Sequence, residues 1–193
     1  MGQKCDFTTI AIVERRPGGV PHYLTPWTVP QTRYLLRYLE RVALGTPYPR
    51  VARRIEAITH AGELRGRCSV VVDATGVGQP RVDLLRSARL EGELIPVTIT
   101  GGDQAGRSHG TWSVPKRDLV TTLQLMMEQE ELEAAAELPE RRRLVEELMG
   151  MRRRGGRFGA AGSGHDDLVL AVALGCWWAR RGQVGERGDG RLL

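Results

Sequence analysis

Cysteine is scarce in this chain of 193 residues. Its three cysteines, Cys5, Cys68 and Cys176, are widely spaced and include no C-x-x-C pair. The odd number and the spacing argue against a disulfide framework and against a zinc site, and they favour a reducing compartment.

Long apolar runs and a leader sequence are missing as well. The longest apolar run, Leu168–Ala179, is too short to span a bilayer and predicts a buried helix. The N-terminal residues MGQKCDFTT lack the apolar core of a signal peptide. We therefore expect a cytoplasmic protein that has no membrane partner.

Lysine is nearly absent, although the net charge is +5. Only Lys4 and Lys116 are lysines, so arginine carries almost all of the positive charge, with clusters at RVARR, ERRRL and MRRRGGR. Arginine suits phosphate contacts, but solvated helix faces in an arginine-rich protein would give the same clusters. The basic charge makes nucleic acid a better partner than an acidic ligand.

The composition that remains, 41% hydrophobic and 26% charged, is that of an ordinary globular domain. FTTIAIVERR predicts a strand, and PRVARRIEAITHAG predicts a helix. RYLLRYLERVAL fits either a strand or a helix, and its alternation favours the strand. CSVVVDAT is typical of a central strand buried on both faces, and a helix (PRVDLLRSARLEG) and a strand (LIPVTIT) follow it. This order predicts an α/β fold with a mixed central sheet flanked by helices.

The second half of the chain has a mainly helical pattern. GGDQAGRSHGTWSVP is predicted as a loop, and KRDLVTTLQLMMEQEELEAAAEL and ERRRLVEELMGMRRR as amphipathic helices. GGRFGAAGSG is predicted to be a flexible segment that precedes the final helix. We expect one domain over residues 1–181 and a flexible C-terminal tail over residues 182–193.

Paired acids stand directly before the most apolar helix. One aspartate is enough to cap a helix, so the adjacent Asp166 and Asp167 suggest a bound cation. Asp73 ends the strand CSVVVD, where side chains of open α/β sheets meet the functional crevice. Asp6 precedes the first strand, and Glu14 at the far end of that strand is expected to face solvent.

Acids from distant parts of the chain, without a Cys or His set, predict an oxygen-ligand site for Mg²⁺ or Mn²⁺. Two such ions serve phosphoryl chemistry, in which carboxylates hold them beside the scissile bond. The alternatives are local: Asp73 could cap the turn DATGVG, and Asp6 could cap its own segment.

The loop after LIPVTIT carries side chains that suit a DNA backbone: Arg107, Ser108, His109, Lys116 and Arg117. A mobile loop without a ligand is the alternative. GGDQAGRS has Arg107 where a phosphate-binding loop has lysine, and GVGQPR lacks the third glycine of a dinucleotide-binding site. Neither segment therefore predicts a nucleotide-binding site with any strength.

These segments, taken together, resemble the C-terminal nuclease domain of the large subunit of tailed-phage terminases, which is RNase H-like. The resemblance covers almost the whole chain and rests on motifs in the family's order: GQKCDFTTIAIVER, YLERVALGTPYPRVARRI, VVVDATGVGQPRVDLLR, VTITGG, VPKRDLV, LVEELMGM and FGAAGSGHDDLVLAVALGCWW.

The resemblance implies a metal-dependent endonuclease that cuts concatemeric viral DNA in the bacterial host cytoplasm. It assigns Asp73, Asp166 and Asp167 to two Mg²⁺ or Mn²⁺ ions, with Asp6 as a secondary acid and His165 as a residue that assists the metal site or caps the helix. The implied partners are double-stranded DNA, an ATPase motor, the terminase small subunit and the portal.

The chain departs from the family pattern in two respects. The first aspartate of the family's first-strand motif would fall one residue before Met1, so activity depends on whether Asp6 can substitute. A Walker sequence is also missing, so the chain by itself is not expected to translocate DNA.

Two other functions remain open. One is a non-catalytic DNA-binding packaging module, a split or truncated terminase, and the other is a different RNase H-like nuclease such as a junction resolvase.

Overall fold

A computed structural model describes residues 7–21, 28–30, 32–76, 79–153 and 166–188. Asp6, His165, Cys5 and the segment GGRFGAAGSG lie outside these residues. None of the described helices is both long enough and apolar enough to cross a membrane.

The described elements alternate between strands and helices along the chain. The strands are β1 (Thr8–Arg16), β2 (Gly19–Pro21), β3 (Thr28–Pro30), β4 (Arg33–Val42), β5 (Cys68–Asp73), β6 (Gly92–Thr100), β7 (Gly106–Ser108), β8 (Thr111–Pro115) and β9 (Leu132–Ala134). The helices are α1 (Tyr48–Thr59), α2 (Gln79–Ser87), α3 (Lys116–Glu128), α4 (Arg141–Arg153) and α5 (Asp167–Gly188).

The chain divides into two compact units. Of the described residues, the first unit takes Arg41–Asp118 together with Phe7 and Thr8, and the second takes those in 9–40, 119–153 and 166–188. That the chain forms one domain over residues 1–181 stays a prediction from the sequence.

The first unit contains a four-stranded mixed sheet in the order β5-β6-β8-β7. The strands β5, β6 and β8 run parallel, and β7 pairs antiparallel with β8. Apolar side chains of β6, β8 and α2 are buried in this unit, among them Ile95, Val97, Val114, Val82 and Leu85.

The prediction for β5 was wrong in one respect. Among the described strands β5 is the outermost of its sheet, not a central one, because it pairs with β6 alone. Its valines are only half-buried, and Ser69 and Asp73 are exposed. An uninterrupted valine run has the same pattern in an edge strand and in a central one, so the sequence did not separate the two positions.

The segment predicted as a loop after β6 contains a β-hairpin. Gly106↔Ser113, Arg107↔Trp112 and Ser108↔Thr111 are paired across β7 and β8. The two residues between the strands, His109 and Gly110, both have positive φ, at 49° and 79°. Positive φ at both positions is the signature of a type I′ turn, whose twist matches that of the strands it joins.

The second unit contains a three-stranded sheet in the order β1-β4-β9 and the antiparallel pair β2-β3. The strands β4 and β9 run parallel. The buried side chains of this unit come mainly from β4, α3 and α5, and they include Leu36, Leu123, Met126, Val172 and Cys176.

The sequence predicted one helix over KRDLVTTLQLMMEQEELEAAAEL, but α3 ends earlier, at Glu128. The N–H of Glu131 donates to the carbonyl of Met126 at 2.8 Å, and that of Glu130 to the carbonyl of Met127 at 3.2 Å. These two bonds form a Schellman motif, after which Leu132 pairs with Tyr34 of β4. Pairing with β4 thus overrides the strong helix propensity of LEAAAEL.

The final helix is longer than expected. Helix α5 extends to Gly188, so residues 182–188 of the predicted tail continue the helix, and residues 189–193 lie outside the described part. The α/β class, with mixed sheets and accompanying helices, is confirmed.

Candidate active site

Asp73, the last residue of β5, holds the turn that follows the strand. Its Oδ1 atom accepts the N–H of Thr75 at 2.9 Å and also the Thr75 hydroxyl. That hydroxyl oxygen in turn accepts the N–H of Ile99 in β6, at 2.8 Å. Within the described residues both hydrogen bonds of the Asp73 carboxylate use Oδ1, and the side chain is exposed. Turn capping therefore occupies one carboxylate oxygen of Asp73.

Asp166 and Asp167 stand where the sequence placed them, at the beginning of α5. The carbonyl of Asp166 accepts the N–H of Leu170 at 2.9 Å, which makes Asp166 the N-cap residue, and Asp167 is the first helical residue. Both side chains are partly buried, and the Oδ2 atom of Asp167 is inaccessible to solvent.

The first turn of α5 is capped by a residue of α4. The N–H groups of Leu168 and Val169 both donate to Oε2 of Glu147, at 3.0 and 3.2 Å. An N-cap aspartate ordinarily accepts hydrogen bonds from these positions, the second and third of the helix. Glu147 was not singled out from the sequence, where VEEL reads as the polar face of an amphipathic helix.

The predicted acids are distributed between the two units. Asp73 belongs to the first, and Asp166 and Asp167 to the second. Among the residues that the structure describes, no group of three or more Asp, Glu, His or Cys side chains is arranged to hold a metal ion. The remaining predicted members, Asp6 and His165, lie outside those residues.

Glu14 is engaged in ion pairs with Arg16 and Arg37. Oε1 accepts Nε of Arg16 at 2.7 Å, and Oε2 pairs with the guanidinium of Arg37 in β4. Hydrogen bonds from Arg16 and then Arg37 lower the pKa of this carboxyl below its ordinary value. The predicted solvent-facing position is consistent with a side chain that is 37% exposed.

The β7–β8 hairpin brings together three of the five residues predicted to contact DNA. The Arg107 guanidinium lies 5.6 Å from the centroid of the Trp112 ring, directly across the hairpin. The Ser108 hydroxyl and Nδ1 of His109 are 2.8 Å apart. All three predicted residues are exposed, so the hairpin presents a cation and two polar side chains to solvent.

The other two predicted DNA contacts, Lys116 and Arg117, open α3. Lys116 is half-buried and Arg117 is exposed. The Arg117 guanidinium pairs with carboxylate oxygens of Asp103 at 3.5 Å and Asp118 at 3.7 Å. Because two acids offset its charge, Arg117 is a weaker candidate for a phosphate contact than Arg107.

Trp112 is a second residue that the sequence analysis missed. The signal was present, since the two-residue segment His109–Gly110 between GRS and TWSVP suits a hairpin, and the hairpin register then places Trp112 opposite Arg107.

Comparison of the chain with protein-family models, with curated proteins and with solved structures gives no match.

Proposed function

We propose that this chain is the nuclease domain of a terminase large subunit, with RNase H-like architecture, which cuts concatemeric viral DNA during packaging. The proposal starts from the ordered motifs of the sequence. The observation that carries it further is the position of Asp73, an exposed carboxylate at the carboxyl end of a strand in the parallel set β5-β6-β8. That edge of an open α/β sheet is where ligands bind.

The proposed metal ligands are Asp73, Asp166 and Asp167, with Asp6 as a secondary acid and His165 as a residue that assists the site. Their donor atoms are mainly carboxylate oxygens, which suit the hard cations Mg²⁺ and Mn²⁺. Asp73 fits this role because both hydrogen bonds that its carboxylate accepts from described residues use Oδ1, and neither uses Oδ2. Asp166 and Asp167 bring two adjacent carboxylates to the beginning of α5.

The residues of the chain hold and orient the reacting groups. Bound divalent ions would supply activation of the attacking water and stabilisation of the charge that develops on the phosphate. Thr75 fixes the Asp73 carboxylate through two hydrogen bonds and is itself fixed by Ile99. Arg107, stacked on Trp112, would neutralise a DNA phosphate.

Nicking of supercoiled plasmid DNA in Mg²⁺ or Mn²⁺ tests the proposal. Asp73→Asn removes a charged ligand and should lower the nicking rate by about a hundredfold or more, since a metal ion contributes several kcal/mol to such a reaction. Asp83→Asn is the matched control, because Asp83 is an exposed aspartate of the same unit that pairs with Arg86. Undiminished activity of Asp73→Asn would remove Asp73 from the mechanism.

The second candidate function is a non-catalytic DNA-binding packaging module. The exposed Arg107 guanidinium, which lies over the half-buried Trp112 ring, favours it, since an arginine on a hairpin suits a nucleic-acid backbone. Salt-sensitive binding of the plasmid without nicking at any metal concentration would favour this function over the nuclease. Preference for branched DNA would indicate a resolvase. For either terminase function, the proposed partners are an ATPase motor, the small subunit and the portal.

A further inference from the structure

Helix α1 carries the arginine cluster RVARR, and its arginines all lie on the exposed side. Arg50, Arg53 and Arg54 are three and four positions apart, so they share one face of the helix. All three are exposed, whereas Val51 and Ala52 on the other side are buried. We call the three arginines the α1 basic face.

Acids pair with the exposed arginines of other helices but not with two of the arginines of this face. On α4, for example, Arg142 pairs with Glu146 at 3.1 Å. Among the residues that the structure describes, no carboxylate forms an ion pair with Arg50 or Arg53. The usual compensation of a solvated helix face, by acids three or four positions away, is therefore not made for these two side chains.

The position of the arginines within α1 is unfavourable for stability. The beginning of a helix carries a partial positive charge, which acids stabilise and cations destabilise. The first turn of α1 contains no acid, and its one acid, Glu56, follows the arginines. By contrast, α3 and α5 have Asp118 and Asp167 in their first turns. An arrangement that lowers local stability is expected where a surface serves to bind a ligand.

We propose that the α1 basic face binds double-stranded DNA by contacting phosphates of its backbone. Arg50 and Arg53 are about 4.5 Å apart along the helix axis, and phosphates repeat about every 3.4 Å of axis along one DNA strand. Two long side chains can therefore reach neighbouring phosphates. The planar guanidinium also matches a pair of phosphate oxygens better than an ammonium group does.

This surface is separate from the β7–β8 hairpin that carries Arg107. Helix α1 belongs to the same unit as Asp73, and it packs against α2, the helix that follows Asp73 in the chain. The choice of double-stranded DNA as the ligand rests on the proposed function. The charge of Arg50 and Arg53 without an acid partner does not depend on it.

Salt-dependent binding of a labelled DNA duplex, measured by fluorescence anisotropy in EDTA, tests this surface without any nuclease activity. Each phosphate contact contributes about 0.9 to the slope of log affinity against log salt concentration. Arg50→Gln/Arg53→Gln should therefore reduce the slope by about 2 and weaken binding at about 0.1 M salt by about tenfold or more. Arg50→Lys/Arg53→Lys keeps both charges and should keep most of the slope.

Arg142→Gln/Arg143→Gln is the matched control. It removes the same charge from exposed arginines of α4, each of which pairs with an acid, and its slope should stay within about 0.5 of the wild-type slope. Equal losses of slope in the two glutamine variants would show that only net charge matters, and would overturn the proposal. Arg50→Gln/Arg53→Gln should unfold at or above the wild-type midpoint, because cations leave the positive end of a helix, so unfolding cannot cause its weaker binding.

The outcomes separate this inference from the proposed function. Wild-type protein that binds and nicks DNA, with an unchanged slope in Arg50→Gln/Arg53→Gln, overturns the α1 surface and leaves the nuclease proposal standing. Protein that binds DNA through this surface but nicks it at no metal concentration supports the inference and contradicts the nuclease. Wild-type protein that does not bind the duplex overturns both.

Discussion

At the scale of single residues, one glycine sets how closely α5 approaches β1. A Cβ atom added at Gly175 would lie 2.9 Å from Cγ2 of Val13, well inside ordinary van der Waals contact. Gly150, inside α4, has open space around the same position. Both glycines destabilise their helices relative to alanine. Gly175 permits a close approach of α5 to β1, whereas Gly150 permits no such approach.

Replacing these two glycines by alanine should give opposite results. Gly150→Ala should raise the free energy of unfolding by about 0.5–1 kcal/mol, because alanine is the better helix former. Gly175→Ala gains the same propensity but overpacks against Val13, which typically costs about 1–3 kcal/mol, so we expect a net loss of about 1 kcal/mol. Urea unfolding measures both values.

The double variant Val13→Ala/Gly175→Ala isolates the contact. Removing the Val13 methyl groups should make the alanine at 175 less costly than it is in the wild-type background, giving a coupling energy between the two sites. A Gly175→Ala variant that is as stable as Gly150→Ala would show that Val13 moves aside freely.

Individual residues were predictable where the reason for them is local. Asp73 ends a strand and holds the adjacent turn. The sequence indicates both, because the valine run predicts the strand and the letters DAT predict the turn. Glu147 was not predictable, because its partners are N–H groups of α5 more than twenty positions away. A helical pattern distinguishes the buried face of α4 from the polar face, but it does not say which polar side chain reaches another helix.

At the scale of elements, the end of α3 is the clearest case. Glu130 follows the helix with φ of 53°, the left-handed conformation that glycine ordinarily takes at this position of a Schellman motif. A side chain with a Cβ atom is strained there, by about 1–2 kcal/mol relative to ordinary helical φ. The sequence contains no glycine to mark this end, which is why the helix prediction continued into EAAAEL.

Glu130→Gly should therefore stabilise the protein. We expect the free energy of unfolding to rise by about 0.5 kcal/mol, since relief of left-handed strain exceeds the added flexibility of the unfolded chain. Glu130→Ala keeps the Cβ atom and should be nearly neutral, which separates the backbone effect from loss of the charge. Chemical denaturation compares the three proteins, and a destabilised Glu130→Gly variant would contradict the assignment of this residue.

Other elements were predicted correctly where period and punctuation agree. Helix α1 follows the apolar spacing of Val51, Ile55 and Ile58, and Pro49 stands in its first turn, where proline is tolerated. The strand β9 could not be predicted in this way. Its three residues have helical propensity and become a strand only because β4 offers a partner from about a hundred positions earlier.

At the scale of the whole molecule, a buried thiol links stability to alkaline pH. Cys176 is 0% exposed, and burial raises its pKa from 9.0 to about 12. The folded protein keeps the thiol proton at pH values where the unfolded chain loses it. The contribution of this group to stability is therefore complete below pH 9 and is lost as the pH rises from 9 toward 12.

Cys176→Ala should remove this alkaline loss. Between pH 8 and pH 10 the wild-type free energy of unfolding should fall by about 1 kcal/mol more than that of the variant, whatever the difference between them at neutral pH. Cys68, whose pKa is raised to a lesser degree by partial burial, provides the control: Cys68→Ala should retain most of the alkaline loss. Parallel pH profiles for wild type and Cys176→Ala would contradict the assignment.

The order of the chain has a consequence for biosynthesis. The strands β4 and β9 are neighbours in one sheet, yet nearly all of the first unit is encoded between them. During translation β5, β6, β7 and β8 are therefore synthesised one after another. By contrast, β4 can pair with β9 only after those strands have been made, and Val13 can contact Gly175 only later still. Since domains generally fold as they emerge, the inserted unit is expected to mature while its host is still a nascent chain.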